Sequence, residues 1–217
     1  MAPGETTLGL YLIIETTDGA AAAALIEAVL AAAPLQAVLL APAVGGRLSA
    51  DTTRAAIDAA QKAGVAALIQ DDDALARALR ADGVHLTWSS DLEARYRHAR
   101  ETVGRGAIVG VEAGRSRHDA MTLGEAGADY IAFAVAADAV DPAAARAERL
   151  DLCAWWSEIF EVPCVAFGCI DAEDARALVD AGTDFVALRM ADGTSPVEAA
   201  RQVGALSRAL ADREAVS

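Results

Sequence analysis

One repeating unit constrains this chain more than anything else in it. A short aliphatic or β-branched run is followed by a longer segment rich in Ala, Leu, Arg and Glu, and a glycine then precedes the next run. The runs are Leu8–Ile14, Gln36–Leu40, Val65–Ile69, Gly83–Leu86, Ala107–Val111, Tyr130–Ala134, Pro163–Phe167 and Asp184–Leu188. They read as strands, and the segments between them place apolar residues at helical spacing. Gly64, Gly83, Gly127 and Gly182 stand just before strands, where glycine accommodates the left-handed turn that stops a helix. Ser90 to Glu93 and Ser195 to Glu198 read as capping boxes that start helices, the second with Pro196 at its first helical position.

Eight such units close most simply into a (β/α)8 TIM barrel, an α/β fold that routinely occupies this length as one domain, residues 1–217. An open doubly wound sheet is the alternative, but no Gly-x-Gly-x-x-Gly turn follows the first strand. In a barrel the reactive face is built from the loops after each strand, with phosphate often held after strands seven and eight. The longest irregular stretch, Val135 to about Ala143 with Asp138, Asp141 and Pro142, reads equally as a lid or a plain connection.

The net charge of −14 gives an average field that repels phosphate backbones and anionic lipid, so neither nucleic acid nor membrane is an expected partner. Met1 to Thr7 shows no signal-peptide pattern, and no apolar run is long enough to span a bilayer, which suggests a cytoplasmic protein. Cys153, Cys164 and Cys169 form no Cys-x-x-Cys pair and read as reduced thiols. Trp155 and Trp156 sit among Leu152, Ile159 and Phe160 at helical spacing, which fits core packing or the interface of a homo-oligomer.

Three segments, Asp82-Gly-Val-His-Leu86, Gly127-Ala-Asp-Tyr130 and Val162-Pro-Cys-Val-Ala-Phe-Gly-Cys-Ile170, resemble the thiamine phosphate synthase family, which includes a thiazole tautomerase branch. The likeness runs in order from Leu10-Tyr-Leu-Ile13 to Val186-Ala-Leu188. It implies a barrel that joins hydroxymethylpyrimidine diphosphate to thiazole phosphate with release of pyrophosphate, helped by Mg²⁺. Departure of pyrophosphate builds negative charge on oxygen, which calls for Arg or Lys donors, a carboxylate-held cation and glycine-turn amides.

By that resemblance Asp71 matches a metal ligand after strand three, beside Gln70, and Asp91 stands one residue late for a second. Either Asp could instead serve its helix, Asp71 or Asp72 as a cap and Asp91 in the first turn. Gly168, Cys169 and Ile170 match the phosphate turn, with Cys169 in place of a glycine; Arg189, where the family has small residues, could offer a forked donor to a phosphate or carboxylate there or pair with a neighbouring Asp such as Asp192. His85 matches the family motif and reads as a structural histidine in or beside the barrel wall rather than a catalytic base, while Trp88 and Glu112 follow strands four and five on the ligand side, Trp88 as ligand lining or as rim packing.

Other parts of the pattern are missing. Leu40 and Pro42 replace the strand-two cations, Gly114 replaces a histidine after strand five, and Ala134 to Pro142 holds no Lys, Arg or Thr. Neither Leu40 nor Pro42 can donate a hydrogen bond from its side chain. Two functions therefore compete: a divergent thiamine phosphate synthase, and a catalytically lapsed barrel that binds a phosphorylated small molecule. An aldolase-type barrel finds no support, because Lys62 is the one lysine and its position ends helix two.

Overall fold

The computed structural model describes residues 9–114, 116–136 and 139–214, with side chains as far as residue 211. Leu8 and Asp138 lie outside the described residues. The strands are β1 (Gly9–Thr16), β2 (Ala37–Pro42), β3 (Ala66–Gln70), β4 (Gly83–Leu86), β5 (Ile108–Glu112), β6 (Tyr130–Phe133), β7 (Cys164–Ala166) and β8 (Phe185–Met190). Alternating with them are α1 (Gly19–Leu30), α2 (Ala50–Lys62), α3 (Asp73–Leu79), α4 (Leu92–Val103), α5 (Arg117–Glu125), α6 (Pro142–Ile159), α7 (Ala172–Asp180) and α8 (Pro196–Glu214). The strands pair in parallel, each with its sequence neighbours, and β1 closes on β8 to complete a (β/α)8 barrel.

Short polar residues start the helices. Asp18, Ser49, Asp72, Ser116, Asp141 and Asp171 each accept one or two first-turn amide hydrogen bonds, a contribution of about 1 kcal/mol per helix. Ser195 accepts from the Glu198 amide at 3.2 Å, as the capping-box reading of α8 requires. The box expected at Ser90 is not formed: α4 begins at Leu92, its cap is Asp91, and no side chain bonds the first-turn amides. Asp91 instead accepts from the Ser89 hydroxyl at 2.8 Å. Gly83 also departs from its expected role. It lies inside β4 with no positive φ, α3 ends on Arg80 in the left-handed region, and a Cβ at Gly83 would meet the Ile108 carbonyl at 2.0 Å.

A repeated lock ties the strand starts together. Asp82, Asp129 and Asp184 each accept the backbone amide of Ala67, Val109 and Cys164, respectively, on the preceding strand, at 2.7–2.8 Å. Gln36 does the same for Leu10 at 2.6 Å. Each lock satisfies a strand-end donor that would otherwise lack a partner, on the face of the barrel that serves stability.

Two hydrophobic layers follow. One lies between sheet and helices and includes Leu12, Ile26, Val38, Ile57, Ile69, Val109, Ile131 and Trp156. The other fills the barrel: Tyr11, Ile13, Leu39, Leu68, Tyr130, Val165, Phe167 and Ala187. Strand alternation carries these inward rows on to Glu15, Gln70, Glu112 and Arg189, which face the C-terminal mouth. Trp156 is buried in the outer layer, stacks on Phe160 with ring centroids 4.0 Å apart, and donates its indole N–H to Val162, which makes it a core residue.

Candidate ligand site at the barrel mouth

The floor of the mouth is a buried polar chain. The Tyr11 hydroxyl lies 2.9 Å from that of Tyr130, which lies 2.9 Å from His85 Nδ1. Tyr130 reaches His85 across β5 because Gly110 has no side chain; a Cβ there would sit 1.9 Å from Tyr130 Cζ. His85 is fully buried, and burial is the main reason its pKa falls to about 4, with Arg189 and Arg95 lowering it further and Asp71 opposing them. The imidazole is therefore neutral at physiological pH. Its Nε2 finds no hydrogen-bond partner among the described residues.

Above this floor Glu112 is half-buried, and its carboxyl is shifted upward by desolvation first and by the Asp71 charge second, while Arg189 pulls it down. Trp88 is 54% exposed and lies over Gly114, where an added Cβ would approach its Cδ1 at 2.7 Å. Trp88 and Glu112 share a cavity of about 700 Å³ that extends to Asp119, Glu148 and Arg149 under α6. Gly168, Cys169, Ile170 and Arg189 are not in its wall.

The phosphate-type turn after β7 has Gly168 at φ +77° and neither Cys169 nor Ile170 at positive φ, so cysteine there carries no left-handed penalty. The Cys169 thiol is pushed up to about 12, chiefly by burial and next by Asp174, and so stays protonated. The Ile170 amide donates to Asp174 Oδ2 at 3.2 Å. Asp174 Oδ1 in turn accepts from Arg149 Nη2 at 2.5 Å, while Arg149 Nη1 donates to the Phe167 carbonyl. Arg189, on the next strand, donates to Glu15 at 2.9 Å with its side chain 47% exposed.

Asp71 is not a helix cap; Asp72 takes that role by accepting from Leu75. Asp71 itself adopts φ 55°. Four bonds hold it there: its own amide on the His85 carbonyl at 2.9 Å, the Thr87 amide at 2.8 Å and Arg95 Nη2 at 2.5 Å on Oδ1, and the Thr87 hydroxyl at 2.7 Å on Oδ2. A left-handed non-glycine residue costs on the order of 1–2 kcal/mol and persists where its surroundings fix it. Arg95 also donates to the Thr87 carbonyl and to the Ser89 hydroxyl, which bonds Asp91. Gln70, the last residue of β3, pairs in register with His85.

A family model described as thiamine monophosphate synthase matches residues 10–191. The chain belongs to that family. It is 45% identical over 126 residues to a thiamine-phosphate synthase of Erythrobacter litoralis, an alignment that spans 57% of this chain and 58% of that protein. A thiamine-phosphate synthase of Azoarcus sp. is 36% identical over 187 residues, spanning 85% of this chain and 89% of the relative. In fold, the chain is similar to a thiamine phosphate pyrophosphorylase from Pyrococcus furiosus, with a TM-score of 0.67 and 21% identity over 94% of this chain and 96% of that one.

The Mg²⁺ that the thiamine phosphate synthase resemblance implies meets an unsuitable donor set. A hard divalent cation needs carboxylate oxygens free to coordinate it, with water or substrate oxygens completing the shell. Both oxygens of Asp71 are engaged, one of them by a guanidinium whose charge repels a metal. Among the described residues no group of three or more His, Cys, Asp and Glu side chains could hold a metal ion.

Arg95 and Arg149 are the residues that sequence reasoning passed over. Each lies on a helix, outside the loops after the strands. Their helical spacing carries no sign of the carboxylates they meet.

Proposed function

We propose that the mouth of this barrel binds a phosphorylated small molecule of the kind its family handles, and that the diphosphate transfer step has lapsed. The phosphate would be taken by the amides of Gly168 and Cys169, by that of Ile170 once Asp174 releases it, and by the guanidinium of Arg189. Trp88 and Glu112 would lie along the rest of the ligand, with Gln70 and His85 beneath.

One observation carries this reading: Arg189, on the strand next to the turn, has a side chain 47% exposed and pairs with the carboxylate of the largely buried Glu15. With the guanidinium open to water the pair is worth about 1 kcal/mol, and a phosphate, which accepts the guanidinium fork in two bonds, offsets its loss. The positions that would hold a departing diphosphate offer no such donor, since Leu40 is buried in β2 and Pro42 ends that strand.

Retained thiamine phosphate synthesis is the second reading, favoured by the 36% identity to the Azoarcus enzyme over 85% of the chain. Complementation of a thiamine-requiring strain, run beside calorimetry with thiazole phosphate and thiamine phosphate, separates the two. Binding heat without growth supports the lapsed barrel, and growth supports the synthase. Neither heat nor growth defeats both.

A further inference from the structure

Thr87, Arg95 and Ser89 build one bonded network on Asp71. Thr87 stands where the family motif continues with glycine, and its hydroxyl takes Asp71 Oδ2 at 2.7 Å, a bond no glycine could make. Arg95 reaches from α4 to within 2.5 Å of Asp71 Oδ1, and its other terminal nitrogen binds the Thr87 carbonyl and the Ser89 hydroxyl at 3.0 and 2.9 Å. Ser89 then bonds Asp91, so the two carboxylates that the resemblance offers as metal ligands are joined through one guanidinium and one hydroxyl. The arginine side chain is 28% exposed and that of Asp71 30%, so the pair is shielded enough to be screened less than a surface pair.

We propose that Arg95 is a resident cation in place of the metal: its guanidinium permanently neutralises Asp71, and this barrel mouth neither needs nor binds a divalent cation. The disagreement between family chemistry and this donor set is thus a built substitution. A fixed organic cation takes one oxygen of Asp71, and a hydroxyl supplied by Thr87 closes the other. This concerns the Asp71 centre alone and stands whether or not the mouth takes a phosphate.

Mn²⁺ binding to the full chain, followed by electron paramagnetic resonance of the free ion, tests it. The strongly acidic surface binds Mn²⁺ weakly everywhere, so the readout is the part of the binding that depends on Asp71. Wild type and Asp71→Asn are expected to match, whereas Thr87→Gly with Arg95→Gln is expected to gain a site at least tenfold tighter that Asp71→Asn removes. Binding in wild type that Asp71→Asn abolishes overturns the proposal, and so does a double variant that folds and gains nothing.

A second measurement needs no variant. In the proton–nitrogen spectrum of wild type, Mn²⁺ should broaden the Trp88 indole signal, next in sequence to Thr87, no more than the Trp155 signal. Selective loss of the Trp88 signal at low Mn²⁺ overturns the proposal.

Discussion

The imidazole of His85 and the phenol ring of Tyr130 lie in nearly parallel planes, inclined at 6°, with the hydroxyl 2.9 Å from Nδ1. Burial beside Tyr130 keeps this histidine neutral inside the barrel, with consequences for stability against pH. Above pH 6.5 the imidazole is neutral in both folded and unfolded chains. Below it the unfolded chain takes up a proton that the folded chain refuses until about pH 4. Stability is therefore complete above 6.5 and is lost as pH falls to about 4, by roughly 3 kcal/mol from this group. Urea unfolding should show the loss between pH 7 and pH 5 reduced by about 2 kcal/mol in His85→Gln relative to wild type. Equal losses in the two proteins would mean that His85 is not held neutral by the fold.

Gly110→Ala addresses the same chain from its other side. The new methyl would occupy the space of the Tyr130 ring, so the ring must leave His85 or the strand must shift. Overpacking of this kind costs about 1–3 kcal/mol, and loss of a buried hydrogen bond adds about 1 kcal/mol or more. Denaturant midpoints and the near-ultraviolet dichroism of the tyrosines should both change. A variant as stable as wild type would contradict the packing described.

Arg149 is almost completely buried between Asp174 and the Phe167 carbonyl. Removing one member of a buried pair costs about 3–5 kcal/mol because the other charge stays behind. Arg149→Met is therefore expected to lower the melting temperature sharply, and Asp174→Asn added to it should recover part of the loss. Additive single effects in that double-mutant cycle would show that the two side chains do not interact.

Arg189→Ala should abolish most phosphate affinity while leaving stability within about 1 kcal/mol, as expected for an exposed pair. Glu15→Gln is expected to act in the opposite direction. With its carboxylate partner gone, Arg189 is freed, and thiazole phosphate should bind about two- to fivefold more tightly, the equivalent of about 0.5–1 kcal/mol. Calorimetry on the two variants checks both signs, and weaker binding in Glu15→Gln would place Glu15 with the ligand contacts instead.

Much of the fold was legible because a barrel repeats one instruction. Each of the eight expected strands lies within two residues of a strand in the structure, and β4 has the expected ends. A local signal failed at α4: Ser90 reads as the cap with Asp91 in the first turn, whereas the helix starts one residue later, with Asp91 at the cap position and accepting from Ser89. The candidate site was less legible. The family resemblance put Gln70, Glu112 and Arg189 at the strand ends that form the mouth, but strand alternation left the direction of Arg189 open and says nothing about which carboxylate a long arginine side chain reaches. Arg95 and Asp71 are 24 residues apart, and Arg149 and Asp174 are 25. The left-handed Asp71 was hidden too, because its amide is held by the His85 carbonyl and its carboxylate by Thr87, both on or after a neighbouring strand, rather than by its own sequence neighbours.

The Arg189–Glu15 contact described at the mouth also makes Glu15 a tethered competitor. A carboxylate anchored on β1 is always beside the guanidinium, so under the proposed function every ligand anion has to take its place. A ligand with two charged oxygens, or with further contacts along the β7 turn, would do so more readily than a monoanion. Glu15 would then set how many bonds an anion has to offer before the proposed site accepts it.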